Sequence, residues 1–149
     1  MKSLAPLAAI AALSMAFLGR CSGGPPAHLG VENGKLAPCP KSPNCVSTQS
    51  EDERHGIEAL PFRGSRVDTL AAILRVVERM PRTKVVTQRE DYVHVEYRTK
   101  MGFVDDVEFY FEEENRIVHF RSASRLGYSD MGLNRRRMEE FTAFYRDLP

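Results

Sequence analysis

The stretch from Thr83 to Ser124 constrains the fold most. Four strand-like segments follow one another there with only short polar breaks: Thr83–Gln88, Tyr92–Thr99, Phe103–Phe111 and Arg116–Ser124. Parallel neighbours need a crossover of a dozen or more residues, so strands this close in sequence pair as an antiparallel meander. Lys100-Met101-Gly102 suits a three-residue hairpin with its glycine left-handed, which sets Val93 opposite Phe109, Val95 opposite Val107 and Tyr97 opposite Asp105. A tight turn at Glu113-Glu114 predicts Phe109 opposite Val118, Val107 opposite Phe120, Asp105 opposite Ser122 and Asp106 opposite Arg121.

Two helices flank this sheet. Ser65 followed by Asp68 approximates a capping box, Val67, Leu70, Ala71, Leu74 and Val77 recur at helical spacing, and Pro81 marks the end. A second helix is predicted from about Asn134 to Asp147, with Met138, Phe141, Tyr145 and Leu148 on one stripe. Ile57 to Phe62 reads as a short extended segment that Pro61 confines to an edge. The order is β-α-β-β-β-β-α: an α+β fold in which an antiparallel four- to five-stranded meander carries both helices on one face, as a single domain over residues 57–149.

The chain before residue 57 has a different character. Lys2, an apolar run from Leu4 to Leu18 and then small residues give residues 1–21 the layout of an export signal. Leu18-Gly19-Arg20-Cys21 resembles a lipobox in which Cys21 is lipidated, although Arg20 stands where a small residue is usual. Ordinary cleavage near Ser14-Met15-Ala16 and retention as an uncleaved anchor are the alternatives. Residues 22–38, rich in Gly and Pro, read as a flexible tether. Residues 39–56 read as an irregular loop that Cys39 and Cys45 close as a disulfide, a zinc pair being the competing use of two cysteines.

Chemistry-bearing residues concentrate on the last two strands and the loop beyond. Asp105 shares the inward face with Phe103, Val107 and Phe109, a costly place for a charge without partners. Tyr97, Ser122, Ser124 and an arginine are the candidate partners. The outward face is expected to carry the rows His94–Glu108–His119 and Glu96–Asp106–Arg121. The first row has the residue types of a two-histidine, one-carboxylate metal site, and a solvated polar face is the plainer reading. Arg135, Arg136 and Arg137 follow the cap candidate Asn134, where cations oppose the helix dipole and call for anions nearby. Those anions are either internal (Asp105, Asp106, Asp130 and Glu139) or an external ligand.

Lys and Arg number 21 against 20 Asp and Glu, so no global field favours nucleic acid, and no aromatic stacking platform interleaves with the basic residues. Hydrolase-elbow, P-loop, HExxH and dinucleotide-binding patterns are missing. A serine triad on Ser122 is disfavoured because His119 differs from it in strand parity.

Three motifs in order resemble the bacterial and plastid family called domain of unknown function 1499. They are Cys39-Pro40 with Ser42-Pro43-Asn44-Cys45-Val46-Ser47, then Phe103-Val104-Asp105-Asp106-Val107-Glu108-Phe109, then Arg121-Ser122-Ala123-Ser124-Arg125 with Gly127, Asp130, Gly132, Asn134, Arg135 and Arg137. The resemblance covers Leu36 to the C-terminus and implies a compact exported or membrane-associated domain without an assigned activity.

The expected function is a non-catalytic binding or structural module of the cell envelope or periplasm that needs no cofactor. Arg121, Arg125, Asn134, Arg135 and Arg137 would hold a small anionic ligand or an envelope protein, and a lipid anchor or the N-terminal segment would hold the membrane. A metal-dependent or acid/base envelope enzyme is the alternative, using His94, Glu108 and His119 or the surroundings of Asp105.

Overall fold

The computed structural model describes residues 24–149. The export signal expected over residues 1–21 and its candidate lipidation site Cys21 lie outside the described residues. In chain order the elements are β1 (Val31–Glu32), β2 (Lys35–Leu36), β3 (Cys45–Ser47), β4 (Leu60–Pro61), α1 (Arg66–Arg79), β5 (Thr83–Gln88), β6 (Tyr92–Arg98), β7 (Val104–Glu112), β8 (Ile117–Ser124) and α2 (Leu133–Arg146). The main sheet runs β3-β8-β7-β6-β5, wholly antiparallel, and β4 shares the β8 edge with β3 by pairing with the other end of that strand. This is the α+β meander expected, with both helices packed against one face.

The inner face forms the core. Val93, Val95, Val107, Phe109 and Phe120 meet Ile73 and Val76 of α1 and Met138 and Phe141 of α2. The Phe109 and Phe141 rings lie 4.9 Å apart. Ser65 caps α1, and its capping box with Asp68 is complete. The buried stripe differs from the one expected: it is Thr69, Ala72, Ile73, Val76 and Val77, while Val67 is 74% exposed. Thr69 fits the core because its hydroxyl donates to the Ser65 carbonyl and accepts from the Arg63 N–H, which hides its polarity.

The β6–β7 register is the expected one, and Gly102 (φ 90°) takes the left-handed turn position. The β7–β8 register lies two residues away from expectation: Phe109 faces Phe120, Val107 faces Ser122 and Asp105 faces Ser124. The connection is a four-residue loop, 113–116, with Arg116 left-handed (φ 55°). A two-residue Glu-Glu turn would need positive φ at one or both central positions, which glutamates resist. A slip of two leaves every side chain on its own face, so alternation alone could not reveal it.

The outer face is not solvated. Residues expected as a tether carry the β1–β2 hairpin and lie across it as a strap. Gly30 donates its N–H to Glu108 at 2.7 Å, and the Leu36 N–H reaches Gln49 at 2.9 Å. Beneath the strap Tyr92, His94, Asp106, Glu108 and Arg121 are all buried. The 39–56 loop is also more regular than expected. Its Cys39–Cys45 disulfide (Cα–Cα 5.7 Å) leads into β3, which extends the sheet along β8.

Candidate functional site

The antiparallel pair β7–β8 carries a polar cluster on each face, because Asp105 and Asp106 are adjacent and point oppositely. On the inner face Arg137 donates to Asp105 at 2.6 Å and to the Asn134 side-chain oxygen at 2.9 Å. Ser122 also donates to that oxygen, while the Asn134 amide nitrogen reaches Asp130 and Ser124 at 2.8 and 3.0 Å. The Arg137 guanidinium lies 4.8 Å from the Tyr97 ring centre, and the Tyr97 hydroxyl donates to the Met80 sulfur rather than to Asp105. Burial pushes the Tyr97 hydroxyl well above its ordinary pKa. Every polar end here has an internal partner, so this cluster ties α2 to the sheet.

Asn134 is not the helix cap. Gly132 (φ 76°) holds that position, and Asp130 serves the helix start by accepting the N–H groups of Gly132 and Asn134. That frees the Asn134 side chain to enter the core. Arg135 is taken up by the backbone carbonyls of Arg54 and Gly56, each at 2.9 Å, and Arg136 by the carbonyl of Met131.

The outer cluster is a buried layer of charge. Arg125 binds both oxygens of Asp106 at 2.8 Å and reaches Glu96 at 2.6 Å. His94 Nε2 lies 2.7 Å from Asp106. Burial alone would raise the Asp106 carboxyl, but the hydrogen bonds from Arg125 and His94 outweigh it and hold it below the usual carboxylate range. Glu108 accepts from the Tyr92 hydroxyl at 2.8 Å and from the Gly30 N–H. Burial, then that carboxylate, keeps the Tyr92 hydroxyl protonated far above its ordinary pKa. The layer sets three carboxylates (Glu96, Asp106, Glu108) against two guanidiniums.

Arg121 is the exception among the buried arginines. It is 3% exposed, yet its one acidic contact is Glu108 at a long 3.4 Å, and its Nε has no hydrogen-bond partner among the described residues. An unsatisfied buried donor costs about 1–3 kcal/mol, more when it belongs to a charged group. Arg121 also lines a cleft of about 440 Å³ between the outer face and the strap, with Asp106 and Arg125 on the floor and Pro26, His28 and Pro38 in the walls. A second cavity of about 620 Å³ lies on the strap's other side, against Tyr92 and His94. The strap is thus undercut on both flanks.

The four arginines and the asparagine expected to converge are divided by the sheet: Arg137 and Asn134 on one face, Arg121 and Arg125 on the other, and Arg135 beside the 54–56 loop. The candidate metal row is divided too. His94 faces Glu108, but the register sets Arg121 next in that row and brings His119 beside Tyr110. His119 pairs with Glu112 at 3.0 Å and with the Thr48 hydroxyl. Among the described residues no group of three or more His, Cys, Asp or Glu is placed to share an ion. Tyr92, Gly30 and the strap were missed as site elements. Tyr92 read only as the first residue of a strand, and a Gly/Pro-rich stretch carries no periodic signal.

A family model described as "Protein of unknown function (DUF1499)" matches residues 35–144, and the chain belongs to that family. No curated protein matches the chain.

Proposed function

We propose that this DUF1499 member is a non-catalytic binding module of the cell envelope, anchored to the membrane through Cys21 or its apolar N-terminal segment. Its ligand is a small anion, a carboxylate or a phosphate, taken into the cleft under the strap by Arg121. The observation that carries the reading is the Arg121 guanidinium: it is buried, weakly paired and left with an unsatisfied Nε, and Arg121 is among the residues that line that cleft. An oxyanion there would give the guanidinium a second charge-assisted partner beside the distant Glu108. The neighbouring carboxylates are already held by Arg125, His94, Tyr92 and Gly30, which limits their repulsion of the guest. An acid/base enzyme built on Asp106 is less favoured, because a carboxylate gripped by Arg125 and held below its usual pKa is a weak base at neutral pH.

Thermal unfolding of the full chain against inorganic phosphate, acetate and succinate tests the proposal. Ligand at a hundred times its dissociation constant stabilises by about 2.7 kcal/mol, a rise of several degrees in Tm. The rise should appear for wild type and vanish for Arg121→Met. No anion-dependent shift, or the same shift in both proteins, would refute it.

A further inference from the structure

The two ends of the sheet differ sharply in surface chemistry. At the end where the 99–103 hairpin turn meets the 125–132 loop, Met101 (84% exposed), Phe103, Leu126, Tyr128 (72%) and Met131 (86%) project outward. The two loops are adjacent, since the Arg125 N–H donates to the Val104 carbonyl at 3.2 Å. Exposed Arg82, Arg98, Lys100 and Arg136 surround them, and none of the four forms an ion pair among the described residues. Three of these cations are fixed in place. Arg82 donates to the Arg98 carbonyl, Arg98 to the Gly102 carbonyl and Arg136 to the Met131 carbonyl. Lys100, Met101 and Arg136 share one groove of about 540 Å³.

The opposite end, at the β5–β6 and β7–β8 turns, carries Glu90, Asp91, Glu112, Glu113 and Glu114. Exposed apolar side chains set among unneutralised cations suit the interface of an anionic bilayer, where the methionines and aromatics enter the headgroup region and the cations meet lipid phosphates. The acidic end would be repelled from the same surface.

We infer that the tips of the 99–103 and 125–132 loops, with Arg82, Arg98, Lys100 and Arg136, form a face that docks flat on an anionic lipid bilayer. The docking orients the domain with its acidic turns outward. This inference rests on the membrane-anchored reading above but is separable from it.

The chain contains no tryptophan, so one introduced residue reports alone. Full-length Met101→Trp, Tyr128→Trp and Glu114→Trp would be mixed with vesicles of phosphatidylglycerol and phosphatidylcholine carrying doxyl-labelled acyl chains. Flotation reads attachment and quenching reads contact. The proposal expects quenching of at least twofold with a blue shift for Met101→Trp and Tyr128→Trp, and none for Glu114→Trp. Adding Lys100→Glu and Arg136→Glu, or using phosphatidylcholine alone, should reduce the quenching. Protein that floats with all three tryptophans unquenched, or quenched alike, overturns the docking face and leaves the anchor standing. Protein that fails to float with anionic vesicles overturns both.

Discussion

Replacing Arg137 with methionine separates a structural arginine from a ligand-holding one. Asp105 is 1% exposed and receives its charge-assisted bond from Arg137 at 2.6 Å. Removing one partner of a buried pair leaves an uncompensated carboxylate, a loss of about 3–5 kcal/mol. The same change takes a donor from Asn134 and the cation from over Tyr97, so the upper half of that range is expected. Against a total of about 5–15 kcal/mol for a domain, this consumes a large share of the stability. Urea unfolding followed by circular dichroism should show the midpoint fall at unchanged m. Adding Asp105→Asn to Arg137→Met should recover about half of the loss, because no charge is then stranded. A loss below about 1 kcal/mol, or strict additivity in the double mutant, would refute the view that the inner cluster is an internal tie.

Three further outcomes test other parts of the account. Opening Cys39–Cys45 by Cys39→Ser with Cys45→Ser should cost about 2–3 kcal/mol in urea unfolding, the loop-closure value for so short a ring. Ser65→Ala removes the oxygen that accepts the Asp68 N–H and should cost about 1 kcal/mol by the same assay. Asp106 titrates below its unfolded-state value, so its stabilisation is present above about pH 4 and is lost as pH falls through the folded pKa. Asp106→Asn should therefore flatten the acid limb of a Tm-against-pH profile below about pH 4, relative to wild type.

Much of the fold was legible because its signals are local. The Ser65–Asp68 capping box, the Gly102 turn and the pairing of Val93 with Phe109 each depend on a few neighbouring residues. The β7–β8 register was not legible. Phe109 meets an apolar residue at either Val118 or Phe120, and only the left-handed Arg116 decides between them. That single slip moved Arg121 beside Glu108 and His119 out of the row, which recast the site. The strap was invisible for another reason: its attachment is a backbone N–H of Gly30 on a buried Glu108, a contact with no side-chain pattern. The polar partners of Asp105 were partly legible, since parity alone puts Ser122 and Ser124 on its face. Which arginine joins them remained open until α2 was placed.

The central claim is that, among Arg121, Arg125 and Arg137, Arg121 alone is left to take an outside anion. NMR of the arginine Nε–Hε resonances during titration with inorganic phosphate at neutral pH reads this directly. The account predicts a saturable shift of the Arg121 signal, with those of Arg125 and Arg137 nearly unmoved. An Arg121 resonance that stays fixed through the titration, or a larger movement of Arg137, would contradict it.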